Sequence, residues 1–395
     1  MKIAEVRLRQ VAGTMEFAGE FWEERLVRPL DLYPRFRAEG PNWLPKVGEG
    51  RYRIQTYFVE IVADEGVVGI GGPIPIEQAF LISHELRPFL EGADPLATEV
   101  VWDTLYRAAV HGRKGTPMMA ISAVDCALWD LKGRVFNTPV YRLLGGPSRE
   151  VIPAYASMLG YSVEPDRAAE RAREAVQAGY RAMKWFFRHG PADGREGMRN
   201  NAQLVSAVRG AVGDEVDVML DCWMSWDVPY TVAMAERLAD YEPRWLEEPV
   251  QPDRIESYAA IRRQVSIPIS GGEHEYTRWG LKQLMDAEAV DVLQPDIYWA
   301  GGITEMLKIC ALASVYDLPV IPHGHSTPAS AHLIASQPPN LCPLLEYLIK
   351  WNEIHQHFLK TPLKPKEGVV ALPSGPGLGM ELDEAKIEQQ QIMSF

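Results

Sequence analysis

Cysteine is scarce. The chain has four in 395 residues, Cys126, Cys222, Cys310 and Cys342, and none falls at the spacing of a metal-ligand pair. They read as reduced, mostly buried thiols of a cytoplasmic protein. No apolar run approaches the roughly 20 residues that cross a bilayer. The opening Met1-Lys2-Ile3-Ala4-Glu5-Val6-Arg7 alternates like a strand and lacks the apolar stretch of a signal peptide. Positive charge is also in short supply. Forty Lys and Arg face 53 Asp and Glu, a net charge of −13, which argues against nucleic acid as a partner. An anionic small molecule is not excluded, because a bound divalent cation reverses the local field. There is no fine-period repeat and no low-complexity tract.

What is present is a soluble-protein composition, 47% apolar and 24% charged, in a chain too long for one ordinary core. Residues 2–12 and 54–71 read as strands of a small antiparallel sheet, with a turn at Asp64-Glu65-Gly66. The intervening Phe17–Arg53 segment has no clean periodicity. A connection of that length is a lid or binding loop when it carries aromatics, here Phe17, Phe21, Trp22, Tyr33 and Trp43. Helical patterns cover Ile76–Leu90, Leu96–Ala108 and Pro117–Phe136. Residues 1–136 therefore read as an α+β domain.

From Val151 the pattern becomes strand–helix alternation. Strands are expected at Val151, Ala182, Val216, Trp245, Ile267, Val290, Pro319 and Leu344, which makes a (β/α)8-type barrel over residues 137–361. The tail, residues 362–395, is rich in Pro and Gly and is expected to return to the first domain. Polar residues recur where these strands end: Asp221, Glu247, Glu273, Asp296, His323 and Glu346, at intervals of 26, 26, 23, 27 and 23 residues. Each interval suits one βα unit. The six side chains therefore gather on the C-terminal rim, where barrels of this type build active sites.

Three carboxylates converging on a rim repel one another, and a hard cation relieves that repulsion. The all-oxygen set Asp221, Glu247 and Glu273 suits Mg²⁺. His323, paired with Asp296, has the makings of a base for a proton next to a carboxylate. Glu346, if protonated, would donate to the resulting enediolate. Lys184 ends the second strand and is a candidate acid/base or anion contact. Phe186, two residues on, leaves no second lysine on that side. His274 is a candidate substrate contact, His325 reads as a supporting loop residue and His332 as structural.

Longer motifs carry a resemblance. Ser122-Ala123-Val124-Asp125-Cys126-Ala127-Leu128-Trp129-Asp130-Leu131-Lys132-Gly133, Leu143-Leu144-Gly145-Gly146 and Gly377-Leu378-Gly379 resemble the enolase superfamily, mandelate racemase-like branch. Asp221-Cys222-Trp223-Met224-Ser225, Gly272-Glu273-His274, Gln294-Pro295-Asp296, Pro322-His323-Gly324 and Lys184 with Gly190–Gly194 resemble its rhamnonate dehydratase group. The resemblance implies an α+β capping domain formed by the N-terminal region and the C-terminal tail, whose loops close over the barrel. It implies Mg²⁺ on Asp221, Glu247 and Glu273, and dehydration of an acid sugar to a 2-keto-3-deoxy acid. His323 would take the C2 proton and return it to the leaving 3-hydroxyl. It also implies a homo-oligomer, while run length and net charge, as above, speak against membrane and nucleic acid as partners. One departure stands out: that group carries a histidine in the first capping loop, and this chain has none before His84. Trp22, Arg51 and Arg53 are the capping-domain candidates for substrate contact. A racemase or epimerase using the same enediolate, and a non-catalytic paralogue, are the alternatives.

Overall fold

The computed structural model describes residues 1–40 and 44–395. Trp43, one of the aromatics of the expected lid, lies outside the described residues. The capping sheet is built on one long antiparallel pair, β1 (Ile3–Glu16) and β3 (Arg51–Ala63), in register from Glu5 opposite Val62 to Glu16 opposite Arg51, with a shift between Ile3 and Glu5. Its apolar residues Val6, Leu8, Val11, Ile54, Phe58 and Val59 are buried. The short β2 (Lys46–Gly48) and β4 (Val68–Ile74) flank β3.

The helix Thr116–Val135 joins the two halves of the molecule. It is apolar almost all round, and most of its residues are buried, as a helix packed on every side must be. On one side it lies against β4 so closely that a Cβ at Gly69 would fall 2.2 Å from the Ala127 carbonyl oxygen. On another its polar residues hold the barrel. Asp125 Oδ2 accepts from the Thr304 N–H at 2.9 Å, and Ser122 Oγ accepts from the Gly301 N–H at 2.9 Å. Asp130 accepts from Ile70 N–H and, at 2.7 Å, from Leu378 N–H of the C-terminal segment.

The barrel strands are β5 (Val151–Ser157), β6 (Ala182–Phe186), β7 (Asp217–Asp221), β8 (Leu246–Glu247), β9 (Ile269–Gly271), β10 (Val292–Leu293) and β11 (Leu345–Leu348). All pair in parallel, and β11 returns to β5. The expected strand at Pro319 is reduced to a bridge between Leu293 and Val320. Pro319 and Pro322 have no N–H to give a ladder, so only the residues between them pair. Tyr155, Ala182, Met219, Trp245 and Ile321 pack together inside the barrel. Beyond it, β12 (Val369–Ala371) pairs with β5, and β13 (Gln389–Ile392) pairs antiparallel with Arg9–Ala12 of β1. No helix among the described residues is long and apolar enough to cross a membrane.

Burial pushes the Asp125 carboxyl up to about 7, with the Thr304 hydrogen bonds opposing. A carboxyl raised in the folded state stabilises the fold at low pH and loses that contribution as pH climbs from the ordinary aspartate value through 7. Asp125→Asn has no charge to bury. Its stability relative to the wild type is therefore expected to improve by about 2 kcal/mol between pH 5 and pH 8. Denaturant unfolding at the two pH values measures this, and a difference independent of pH would refute it.

Candidate active site

Ladder register sets the rim. Phe186, Asp221 and Glu247 lie level on β6, β7 and β8, and Ser270 of β9 continues the row. Glu273 lies three residues beyond Ser270. The chain reaches it through Gly272, whose φ of +114° is open to glycine at little cost. Asp221, Glu247 and Glu273 are all buried.

Lys184 is 1% exposed and reaches inward from β6. Its ammonium lies 3.2 Å from Asp221 and 2.8 Å from Glu346, and it forms a very close pair with Glu247. Burial alone would lower this amine, but Glu247 and Glu346 overcome that and hold it well above the ordinary lysine range. Lys184 is thus the central countercharge of the rim. Glu247 also accepts from Trp245 Nε1 at 3.0 Å and from Gln294 Nε2 at 2.8 Å. Burial still pushes Asp221 up to about 6, Glu273 to about 7 and Glu247 to about 8.

Glu346 needs a correction. The expected proton donor is instead an acceptor, taking the Gly324 N–H at 2.9 Å. Burial works to raise it, but Lys184 and His323 hold it below the usual carboxylate range.

Two histidine–carboxylate pairs flank Glu273. His323 Nδ1 is 2.7 Å from Asp296 Oδ2, and its Nε2 is 3.6 Å from Glu273. Asp296 is fixed in turn, because its other oxygen caps the short helix Ile297–Ala300 by accepting from Tyr298 N–H at 2.7 Å. Burial would lower the His323 imidazole. Glu273 and Asp296 instead raise it, to about 10. The second pair is His274 Nδ1 with Glu248 Oε2, at 2.6 Å. Here Glu248 overcomes burial and raises His274 to about 9. The Trp299 ring stands between the two imidazoles, 5.4 Å from His274 and 5.1 Å from His323.

Glu273, His274 and His323 open into a cavity of about 260 Å³. Its roof is the capping loop, which contributes Trp22, Glu24, Leu26 and Arg28. Leu159, Trp223, Leu348 and Trp351 make much of the remaining wall apolar. Phe186, where a second base would stand, packs with Leu26 and Leu348. His325 also lines the cavity, while His332 is buried and accepts from Tyr141 N–H at 3.1 Å.

Arg51 and Arg53 need a second correction, since neither lines the cavity. The β1–β3 register carries both along the capping sheet. There Arg53 binds Glu388 at 2.8 Å and Gln389 at 2.6 Å, and Arg51 is exposed. The cations at the roof are Arg25 and Arg28. Arg25 is fully committed to shaping the loop, binding Asp31 at 2.6 Å and the Arg37 and Glu39 carbonyls at 3.0 and 2.6 Å. Glu248 was missed from the sequence. Strand alternation turns it away from Glu247, but its φ of +40° brings it back toward His274. The adjacent acids in Glu247-Glu248-Pro249 were the available signal.

A barrel with buried acids on successive strand ends, capped by an α+β domain, defines a class, and the comparisons agree with it. Residues 167–386 match the enolase C-terminal domain-like model, and residues 49–145 match the mandelate racemase/muconate lactonizing enzyme N-terminal domain. The chain belongs to this family within the enolase superfamily. It is 36% identical over 399 residues to an L-rhamnonate dehydratase of Saccharopolyspora erythraea, covering 97% of each chain. Among solved structures it is similar to an L-rhamnonate dehydratase of Gibberella zeae, with TM-score 0.83 and 33% identity over 98% of this chain and 94% of that one. A rhamnonate dehydratase from the same organism complexed with Mg aligns with TM-score 0.83 and 31% identity, covering 98% and 96%.

Lys184→Met would leave three buried carboxylates without their shared cation. A loss of at least about 3 kcal/mol in folding stability is expected at pH 8. The loss should shrink toward pH 5.5, where those acids can take up protons. Denaturant unfolding at both pH values tests this, and equal stability of variant and wild type at pH 8 would rule out the assigned role.

Proposed function

We propose that the protein is a Mg²⁺-dependent acid-sugar dehydratase. It would convert L-rhamnonate or a related aldonate to the 2-keto-3-deoxy acid. The observation that carries this reading is a single His–Asp dyad, His323 with Asp296, beside a buried excess of carboxylate. Around the rim, among the described residues, Asp221, Glu247, Glu248, Glu273, Asp296 and Glu346 face only Lys184, His274 and His323 as cations. A hard divalent cation fits that imbalance and an all-oxygen donor set.

Asp221, Glu247 and Glu273 are the proposed ligands. Among the described residues, the set whose ligand atoms already lie within 4.8 Å of one another is a different one, Glu248, Glu273 and His274. It suits Mg²⁺ less well, because it offers an imidazole nitrogen, which already pairs with Glu248 at 2.6 Å, in place of an all-oxygen set. When bound, Mg²⁺ would stabilise the negative charge that develops on the substrate carboxylate as C2 loses its proton.

His323 Nε2 takes the C2 proton while Asp296 holds the opposite ring nitrogen and fixes the ring. The same imidazole then returns that proton to the 3-hydroxyl, which leaves as water. The C2–C3 enol that remains becomes the 2-keto-3-deoxy acid. Phe186 supports this reading over racemisation, since it leaves no base on the opposite face. Trp22, Glu24 and Leu26 line the cavity from the capping loop, the loop for which the resemblance implies a histidine. They are the proposed substrate-selecting residues of the loop.

The test is a screen of mono- and diacid sugars with Mg²⁺, detecting 2-keto-3-deoxy products. Turnover is expected to stop on chelation and to return with Mg²⁺. His323→Asn should lower kcat by at least about a hundredfold. Exchange of the C2 hydrogen with solvent deuterium, without loss of water from any sugar acid, would instead favour racemase or epimerase chemistry.

A further inference from the structure

Lys350 is a buried cation outside the carboxylate set of the rim. It sits in the helix Ile349–His355, just after the last barrel strand, and is 1% exposed. Its ammonium gives 2.9 Å to the Gly160 carbonyl oxygen and 3.1 Å to Glu23 Oε1, and it lies 4.1 Å from the centre of the Tyr161 ring. Burial lowers this amine, and Glu23 opposes the effect.

Glu23 belongs to the capping loop, between the roof residues Trp22 and Glu24. Its backbone N–H also donates to Gly160, at 2.8 Å. One carbonyl of the β5–helix loop thus accepts from both the lid backbone and the barrel lysine, and the lysine closes the ring by binding the lid carboxylate. Arg167 at 2.8 Å and Arg171 at 3.7 Å add two further cations around Glu23. Trp22 packs onto the same spot, and a Cβ on Gly160 would lie 1.8 Å from its ring.

We propose that Glu23 and Lys350 are positioning residues that latch the first half of the capping loop, residues 17–26, shut over the reaction cavity. The consequence for catalysis rests on the reading of that cavity given above. Opening this part of the loop strands a buried ammonium and a carboxylate, so the loop rests closed. Residues 27–39 are joined to this stretch by Arg25 but also carry anchors of their own, Val27 N–H to Phe187 at 2.7 Å and Arg37 to the Ala192 carbonyl at 2.6 Å. The latch therefore governs Trp22 and Glu24 without unfastening the rest of the lid.

The test combines hydrogen–deuterium exchange of the full chain with steady-state kinetics. In Glu23→Gln, amides of residues 17–26 are expected to exchange at least about tenfold faster, while residues 27–39 and the barrel strands keep wild-type rates. KM should rise about tenfold with kcat changed less than about threefold, since a loop that rests open must be closed at the expense of substrate binding. Lys350→Met should do the same, and the double variant should be no worse than either single. Arg167→Gln, at a side chain 57% exposed, should change KM by about twofold or less.

Unchanged exchange and unchanged KM in Glu23→Gln would overturn the latch. Equal acceleration of exchange along the whole chain would overturn it too, by assigning Glu23 a merely structural part. Should Lys350→Met fail to fold, Glu23→Gln decides the question alone. Local loosening of residues 17–26 in a protein that turns over no acid sugar would uphold the latch and count against the proposed reaction.

Discussion

Negative charge held out of water at the barrel rim is the constraint from which the rest of the site follows. Three buried carboxylates share one lysine, and each of the other nearby acids has a histidine or a backbone N–H. Such a set is a standing cost to the fold, because desolvation of several like charges outweighs what one ammonium returns. The raised carboxyls and raised imidazoles are two faces of that cost. Acids that cannot shed their charge pull their basic neighbours toward protonation.

The capping domain meets this rim through two kinds of contact. The helix Thr116–Val135 fixes the body of the cap to the barrel with buried hydrogen bonds to backbone N–H groups, contacts that do not need to break. The loop over the cavity is fastened by side-chain charges and packed rings, which can release one at a time. A rigid seat and a releasable roof suit a cavity that must close on its contents and then open.

Much of this was legible in the sequence because a βα unit has a nearly fixed length. Asp221 and Glu247 recur at that interval, and the ladder sets them level on adjacent strands. His323 and Asp296 were readable as a pair for the same reason, although Asp296 turned out to cap a helix rather than end a ladder. The rest depended on features that spacing does not encode. Glu273 reaches the rim from beyond a glycine turn, and Glu248 is redirected by a left-handed backbone. The two arginines of β3 were assigned to the cavity, but a thirteen-residue strand pairing carries them elsewhere. Arg25, Asp31, Glu23 and Lys350 act through contacts between distant segments. No local pattern announces a carboxylate at position 23 meeting an amine at position 350.

The pairing of β13 with β1 has a consequence for the order in which the molecule is made. The barrel strands run from residue 151 to residue 348 and, apart from the closing β11–β5 pair, find their neighbours one βα unit away. The capping sheet cannot be finished until residues 389–392 have left the ribosome and travelled back to residues 9–12. During synthesis the barrel can organise while one edge of β1 is still bare. An exposed strand edge invites pairing with other chains. Residues 389–392 therefore act as the closing seam of a sheet that opens at residue 3, and the nascent protein depends on them to cover an edge left bare while the barrel is made.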